Sequence, residues 1–354
     1  MRIKQKAEKI ARSVAISLLI IGIFISHPSV MGSDFISTIH RYAEYFPHAL
    51  GTDSSSLFLE KHMNEAEGLV GLSDVMFYLE GIAAGRVYRR GSITEEDIYR
   101  LRDFNYLRTQ FYVSDRNTRL LPEDVDVDAF AQMDLTIDVS TPGPKVLIFH
   151  THTTEMFADS RPDTPMDGVL GVGARLSEVL EQRYGIETIH DVTRYDIVNG
   201  RPQITGAYER MEPYIRQILR DNPTIEIVID LHRDGLPEGT PPLVSYINGK
   251  RAARIMFVNG LSRRYNSSGV LEPVQWLPNP YLRDNLAFSF QLQFAANRLY
   301  PGFARRVYLK AFRYSLHLMP RTILLEVGAQ NNTMAEAHNA VPHIASIIAD
   351  VILP

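Results

Sequence analysis

From Lys145 onward the sequence switches between short apolar runs and longer stretches with one apolar face, and this alternation constrains the fold more than anything else in the chain. Val146-Leu-Ile-Phe149 reads as a buried strand, and Val172, Leu176, Val179 and Leu180 mark a helix ending near Gly185. Residues 186–189 give a second strand. Ala207, Met211, Tyr214, Ile215, Ile218 and Leu219 form an amphipathic stripe that stops before Asn222-Pro223, and a third strand follows at 225–229. Further strands are expected at 243–247, 254–258, 307–309 and 322–325, with helices at 286–299 and 334–352. Strands alternating with helices predict an α/β fold, with a mostly parallel sheet and helices on both faces.

The first 33 residues follow a different rule. Arg2, Lys4, Lys6, Lys9 and Arg12 precede an uncharged stretch from Ser13 to Ser33 that is rich in isoleucine and leucine. A bilayer is spanned by roughly 17–25 such residues. The pattern predicts a transmembrane signal anchor over 1–33, with the basic end cytoplasmic and the rest of the chain extracytoplasmic. A cleaved signal peptide competes with this reading, although Ser29-Val30-Met31 is a poor cleavage pattern. Residues 34–120 carry apolar positions at helical spacing (Phe35, Ile39, Tyr42, Phe46; Leu72, Val75, Met76, Leu79, Ile82). Thr94 and Asp97 look like a capping pair at a helix start. A small helical region is expected there. Residues 121–144 are acidic, contain Pro122, Pro142, Gly143 and Pro144, and read as a linker to a domain at 145–354.

Three predicted strands end in polar clusters, and sites in α/β sheets collect at such ends. After Phe149 come His150, Thr151, His152, Thr153, Thr154 and Glu155. Imidazole and carboxylate three residues apart suit a zinc ion, which takes both ligand types at about 2.0–2.2 Å. The spacing alone is weak, since this composition yields roughly one such pair by chance. Its position behind a strand strengthens it. The plainer alternative is a set of loop groups capping the next helix. The second cluster is Asp230-Leu-His232-Arg-Asp234, where Asp230 or Asp234 would hold the far side of the imidazole. Taken singly, His232 reads better as a lone strand-end histidine. The third is Leu325-Glu326-Val-Gly328. A glutamate there suits a general base acting on water, or else a structural carboxylate paired with Arg321 or Arg313.

Together these clusters predict one site: His152, Glu155 and His232 as metal ligands and Glu326 as the catalytic acid/base, with His150, Asp230 and Asp234 as supporting groups or alternative ligands. This is the donor set of a zinc hydrolase acting on amides. Composition narrows the choice. The chain of 354 residues has no cysteine, which excludes thiolate zinc sites and a cysteine nucleophile. Its net charge of −4 gives no case for a nucleic-acid partner. No serine elbow or phosphate-binding loop is present, and Gly171-Val-Gly173 lacks the third glycine of a dinucleotide fingerprint.

At these residues the chain resembles the stage II sporulation protein P family, peptidoglycan hydrolases of endospore-forming bacteria. The resemblance covers about residues 140–345. It rests on His-Thr-His-x-x-Glu at 150–155, Val172-Gly173-x-x-Leu176, Asp230-Leu-His232-Arg-Asp234, Tyr300-Pro-Gly302, and Leu325-Glu326-Val-Gly328 with Asn332-Thr333. It implies an amidase-like fold similar to the third class of N-acetylmuramoyl-L-alanine amidases, zinc dependence, and cleavage of the bond between N-acetylmuramic acid and L-alanine. Cleavage of stem-peptide cross-links is also implied. The implied partners are peptidoglycan itself, a lytic transglycosylase (sporulation protein D) and a membrane protein (sporulation protein M), during engulfment of the forespore. His232 and Glu326 match the family's metal ligand and acid/base directly. The first-motif ligand falls on His152, and Glu155 is inferred as the third. Arg313-Tyr314-Ser315-Leu316 stands where Arg-Tyr-Asn-Gln is more usual, so Arg313 and Tyr314 are expected to touch substrate with altered detail. The alternatives are a zinc carboxypeptidase or endopeptidase confined to stem peptides, and a non-catalytic scaffold that binds cell wall.

Overall fold

A computed structural model describes residues 98–354, and all of these belong to one compact unit. The expected anchor at 1–33, the apolar spacing at 34–97 and the Thr94 cap lie outside the described residues. Among the described residues no helix is long and apolar enough to cross a membrane.

In chain order the main elements are α1 (Phe104–Gln110), β1 (Tyr112–Ser114), α2 (Val127–Gln132), β2 (Val146–Phe149), α3 (Val169–Tyr184), β3 (Thr188–His190), α4 (Ala207–Asp221), β4 (Ile227–Asp234), β5 (Ile255–Gly260), α5 (Leu282–Leu299), β6 (Val307–Lys310), β7 (Thr322–Ala329) and α6 (Met334–Ile352). The seven strands form one sheet in the order β1-β6-β5-β7-β4-β2-β3. Five of the six pairings are parallel, and β5 against β7 is antiparallel. The sheet is therefore two parallel blocks joined along one antiparallel seam.

The period-2 rule of a strand decides what each face carries. Ile148, Ile229, Leu231, Phe257 and Leu325 point into the larger core with α2, α3, α5 and α6. Leu147, Phe149 and Val228 point the other way, where Met211 and Ile215 of α4 cover them. Burying each such large side chain is worth about 1.5–3 kcal/mol. Helices thus lie on both faces, as the sequence predicts, but unequally. Capping follows local chemistry: α3 ends at Gly185 with φ +64°, and Thr333 and Glu336 close a reciprocal capping box at the start of α6.

The structure corrects the expected partition before Lys145. Residues 98–144 are part of the α/β unit and not a stalk followed by a linker. Strand β1 pairs with β6, Tyr112 opposite Val307. Phe130 of α2 is fully buried, its ring 6.1 Å from that of Phe290 on α5. The Gln291 side chain donates to the Phe130 and Met133 carbonyls, and Ile137 N–H donates to Ile352 O. A three-residue strand and a six-residue helix are too short to show periodicity, so their polar neighbours dominated the sequence pattern. The strand expected at 243–247 also differs: Val244–Ile247 leaves the main sheet and pairs with Lys250–Ala253 as a separate hairpin.

Candidate active site

Strands β4 and β7 both run on past their apolar stretches, because Asp230 and His232 pair in register with Leu324 and Glu326. The two site residues expected just after a strand are therefore inside one. Alternation puts Asp230, His232 and Glu326 on the α4 face, opposite the larger core. His152 and Glu155 come from the loop after β2, the neighbour of β4.

That loop is held from two sides. Asp230, fully buried, accepts from the Thr151 N–H at 3.0 Å and from its hydroxyl at 2.9 Å. Asp196, also fully buried, accepts from the hydroxyls of Thr153 and Thr154, each at 2.6 Å. Asp196 is separated from the motif by about forty residues of sequence, and no local pattern marks it. Burial would raise its pKa, but these hydroxyl bonds outweigh it and lower the value.

His232 is the centre of the charge cluster. Its Nε2 lies 2.7 Å from Asp230 Oδ1 and its Nδ1 3.3 Å from Glu155 Oε2. Burial pulls its pKa down, but the two carboxylates together win and raise it well above the usual histidine value. His152 stands 5.4 Å away, ring to ring, and burial lowers its pKa, which favours the neutral ring. Burial pushes the Glu326 carboxyl up to about 8, with Glu155, Asp234 and Asp230 adding to the rise against the pull of His232. A carboxyl that titrates near neutrality is matched to general acid/base work. Glu326 is not a structural ion pair: Arg321 bonds Glu226, and Arg313 lies 3.4 Å from Glu212.

Two buried atoms here have no hydrogen-bond partner, His152 Nδ1 and Glu326 Oε2. Buried polar atoms without partners are costly, about 1–3 kcal/mol each. The Glu155–His232 separation of 3.3 Å is also longer than the usual 2.7–2.9 Å of a charge-assisted bond, taken as a rough norm. Among the described residues no three side chains stand preformed as a metal cage. In chemistry these donors, imidazole and carboxylate, are of the type that zinc takes: His152 Nδ1 has no hydrogen-bond partner, and His232 Nδ1 faces Glu155 Oε2. Asp230 then holds the second nitrogen of His232, the orienting role a ligand histidine requires.

The other expected residues have different places. His150 is not available as an alternative ligand. Its Nδ1 lies 2.7 Å from Leu231 O and its Nε2 2.9 Å from His190 Nε2, under α3. Asp234 points away to Arg305, at 2.5 Å. Arg313 is tied to Pro278 O, and Tyr314 lines the site with φ +51°, its carbonyl 3.0 Å from His317 Nδ1. Tyr208, which sequence reasoning missed, sits edge-on to His152 at 5.6 Å. Its position in the first turn of α4 reads as part of that helix's apolar stripe. Burial raises its pKa well above 10, and Asp230, Tyr314, Glu326 and Glu155 add to the rise.

A sequence profile of the stage II sporulation protein P family matches residues 106–349. The chain belongs to the stage II sporulation protein P family. The stage II sporulation protein P of Bacillus subtilis (strain 168) is 24% identical over 220 residues, covering 58% of this chain and 50% of that protein. The match thus spans half the length of that relative. Solved structures similar to this family member include an N-acetylmuramoyl-L-alanine amidase, AmiC2, of Nostoc punctiforme. That likeness has 13% identity and a TM-score of 0.32, over 60% of this chain and 97% of that one. Another is the CwlD amidase from Clostridioides difficile in complex with the GerS lipoprotein, at 13% identity and a TM-score of 0.35, over 58% of this chain and 94% of that one.

Proposed function

We propose that this chain is a zinc-dependent peptidoglycan hydrolase that cleaves the amide between N-acetylmuramic acid and L-alanine during spore engulfment. The observation that carries it is the meeting of His152, His232, Glu155 and Glu326 on one face of the sheet, with His152 Nδ1 and Glu326 Oε2 both lacking partners. Family membership supplies the substrate class. His152, Glu155 and His232 would hold the ion, which when bound polarises a carbonyl and acidifies water. Glu326 takes a proton from the attacking water and returns it to the leaving amine. Asp230 keeps the His232 ring oriented throughout. The reading includes anchoring through the basic and apolar N-terminus, a catalytic part outside the membrane, and the family's partners, sporulation proteins D and M.

Chromatography of sacculus digests, run with and without a chelator, tests it. Free peptides that begin with L-alanine, lost on chelation, are the expected products. Muropeptides that are only trimmed or uncross-linked would replace the amidase with a stem-peptide peptidase. Undigested sacculi at full zinc load would sink the hydrolase reading.

A further inference from the structure

We propose that Tyr208 donates the hydrogen bond that steadies the oxyanion formed in hydrolysis at this site, an inference that rests on the hydrolytic reading. Its ring lies 5.6 Å from His152 and 5.5 Å from Tyr314, edge-on to both. The ring packs against the cluster that contains Met211 and Ile215 of α4. The carboxylates of Asp230, Glu326 and Glu155 lie within electrostatic range of its hydroxyl. Yet that hydroxyl makes no hydrogen bond among the described residues.

The site is rich in acceptors and short of donors. Arg233 N–H is committed to Glu155, Thr151 to Asp230, and the Thr153 and Thr154 hydroxyls to Asp196. A carbonyl oxygen that gains negative charge beside the Asp230 and Glu155 carboxylates needs a donor, and the Tyr208 hydroxyl, next to His152, is a neutral one left free. In the step concerned, a water oxygen bonds to the scissile carbonyl carbon while its proton passes to Glu326. The carbonyl π pair moves onto oxygen. The oxygen's pair then re-forms the carbonyl of a carboxylic acid as the C–N bond breaks, the C–N pair goes to nitrogen, and nitrogen takes the proton from Glu326 and leaves as an amine. Tyr208 keeps its own proton and bonds only the charged oxygen. This makes it a catalytic residue and not a packing residue.

Tyr208→Phe in the full-length chain removes the hydroxyl and keeps the ring. On soluble glycan–peptide fragments kcat is expected to fall by about 10²-fold with KM unchanged. Bound zinc stays at the wild-type level, and a phosphinate analogue of the scissile amide weakens by the same factor as kcat/KM. A wild-type kcat in Tyr208→Phe overturns the proposal. Activity lost together with zinc also overturns it, because the tyrosine would then merely support His152. Chelator-sensitive hydrolysis by the wild-type chain tests the hydrolytic reading separately. If the wild type is inactive, the analogue's affinity for wild type against Tyr208→Phe still decides whether the hydrogen bond exists.

Discussion

Glu326 and His232 pair across β4 and β7, but they make opposite demands on a proton. In the proposed hydrolysis Glu326 loses and regains one near neutral pH, and burial pushes its carboxyl up to about 8. Glu326→Gln keeps size and hydrogen bonding but cannot accept the proton. Hydrolysis is expected to fall by about 10²–10⁴-fold with zinc content unchanged, read by sacculus digestion and metal analysis. Retained activity would remove Glu326 from the chemistry. As the proposed metal ligand, His232 would instead have to give its proton up before it could bind an ion. Its pKa is raised in the folded chain, because Asp230 and Glu155 outweigh burial. That proton stabilises the metal-free fold below the ordinary histidine value, and the stabilisation is lost as pH rises through the raised one. Metal uptake must displace the same proton, so zinc affinity is expected to strengthen with rising pH, with release of about one proton per ion at neutral pH. Calorimetry in buffers of different ionisation enthalpy counts that proton. A count of zero would show that His232 is not a ligand.

At the level of elements, the sequence was most informative where chemistry interrupts a strand. His152, Glu155, His232 and Glu326 each follow an apolar run, and the structure brings them together. Asp196 and Tyr208 left no such mark, one because it acts on the β2 loop from far along the chain, the other because a tyrosine on an amphipathic helix looks like core. The antiparallel seam between β5 and β7 was equally hidden, since periodicity carries no strand direction. His150 shows a subtler failure. It stands behind β2 as His152 does, but it continues the Ile148 side of the strand, against His190 and Gly173, while the loop beyond it carries His152 to the other face. There the glycine has a packing reason. A Cβ at 173 would lie 2.6 Å from His150 Nε2 and 2.7 Å from His190 Nε2. Glycine to alanine inside a helix ordinarily stabilises by about 0.5–1 kcal/mol. The clash against the buried His150 ring and the half-buried His190 ring should reverse the sign, so Gly173→Ala is expected to destabilise by about 1–3 kcal/mol in denaturant unfolding. A stabilised variant would mean that α3 can move off β2 freely.

Across the whole molecule, the segment before Lys145 decides how many cooperative units the described residues contain. A linker would let residues 145–354 melt by themselves. The observed contacts argue for one unit, because β1 extends the sheet at β6 and α2 closes the larger core over α5. Phe130 is the test residue. It is fully buried, packs on Phe290 and carries Arg283 over its ring at 5.8 Å. Phe130→Ala removes a large side chain from a site that cannot collapse, since Gln291 pins the α2 backbone on either side. The expected cost is about 3–5 kcal/mol, a large share of the roughly 5–15 kcal/mol that holds a domain. If the unit is cooperative, this loss reaches the proposed metal site, although Phe130 is on the far face of the sheet. Tyrosine fluorescence and zinc release should then share one midpoint, and both should shift together in Phe130→Ala. Zinc release that keeps the wild-type midpoint while α2 unfolds would show that the catalytic part stands alone, and would restore the boundary at Lys145 that the sequence suggested.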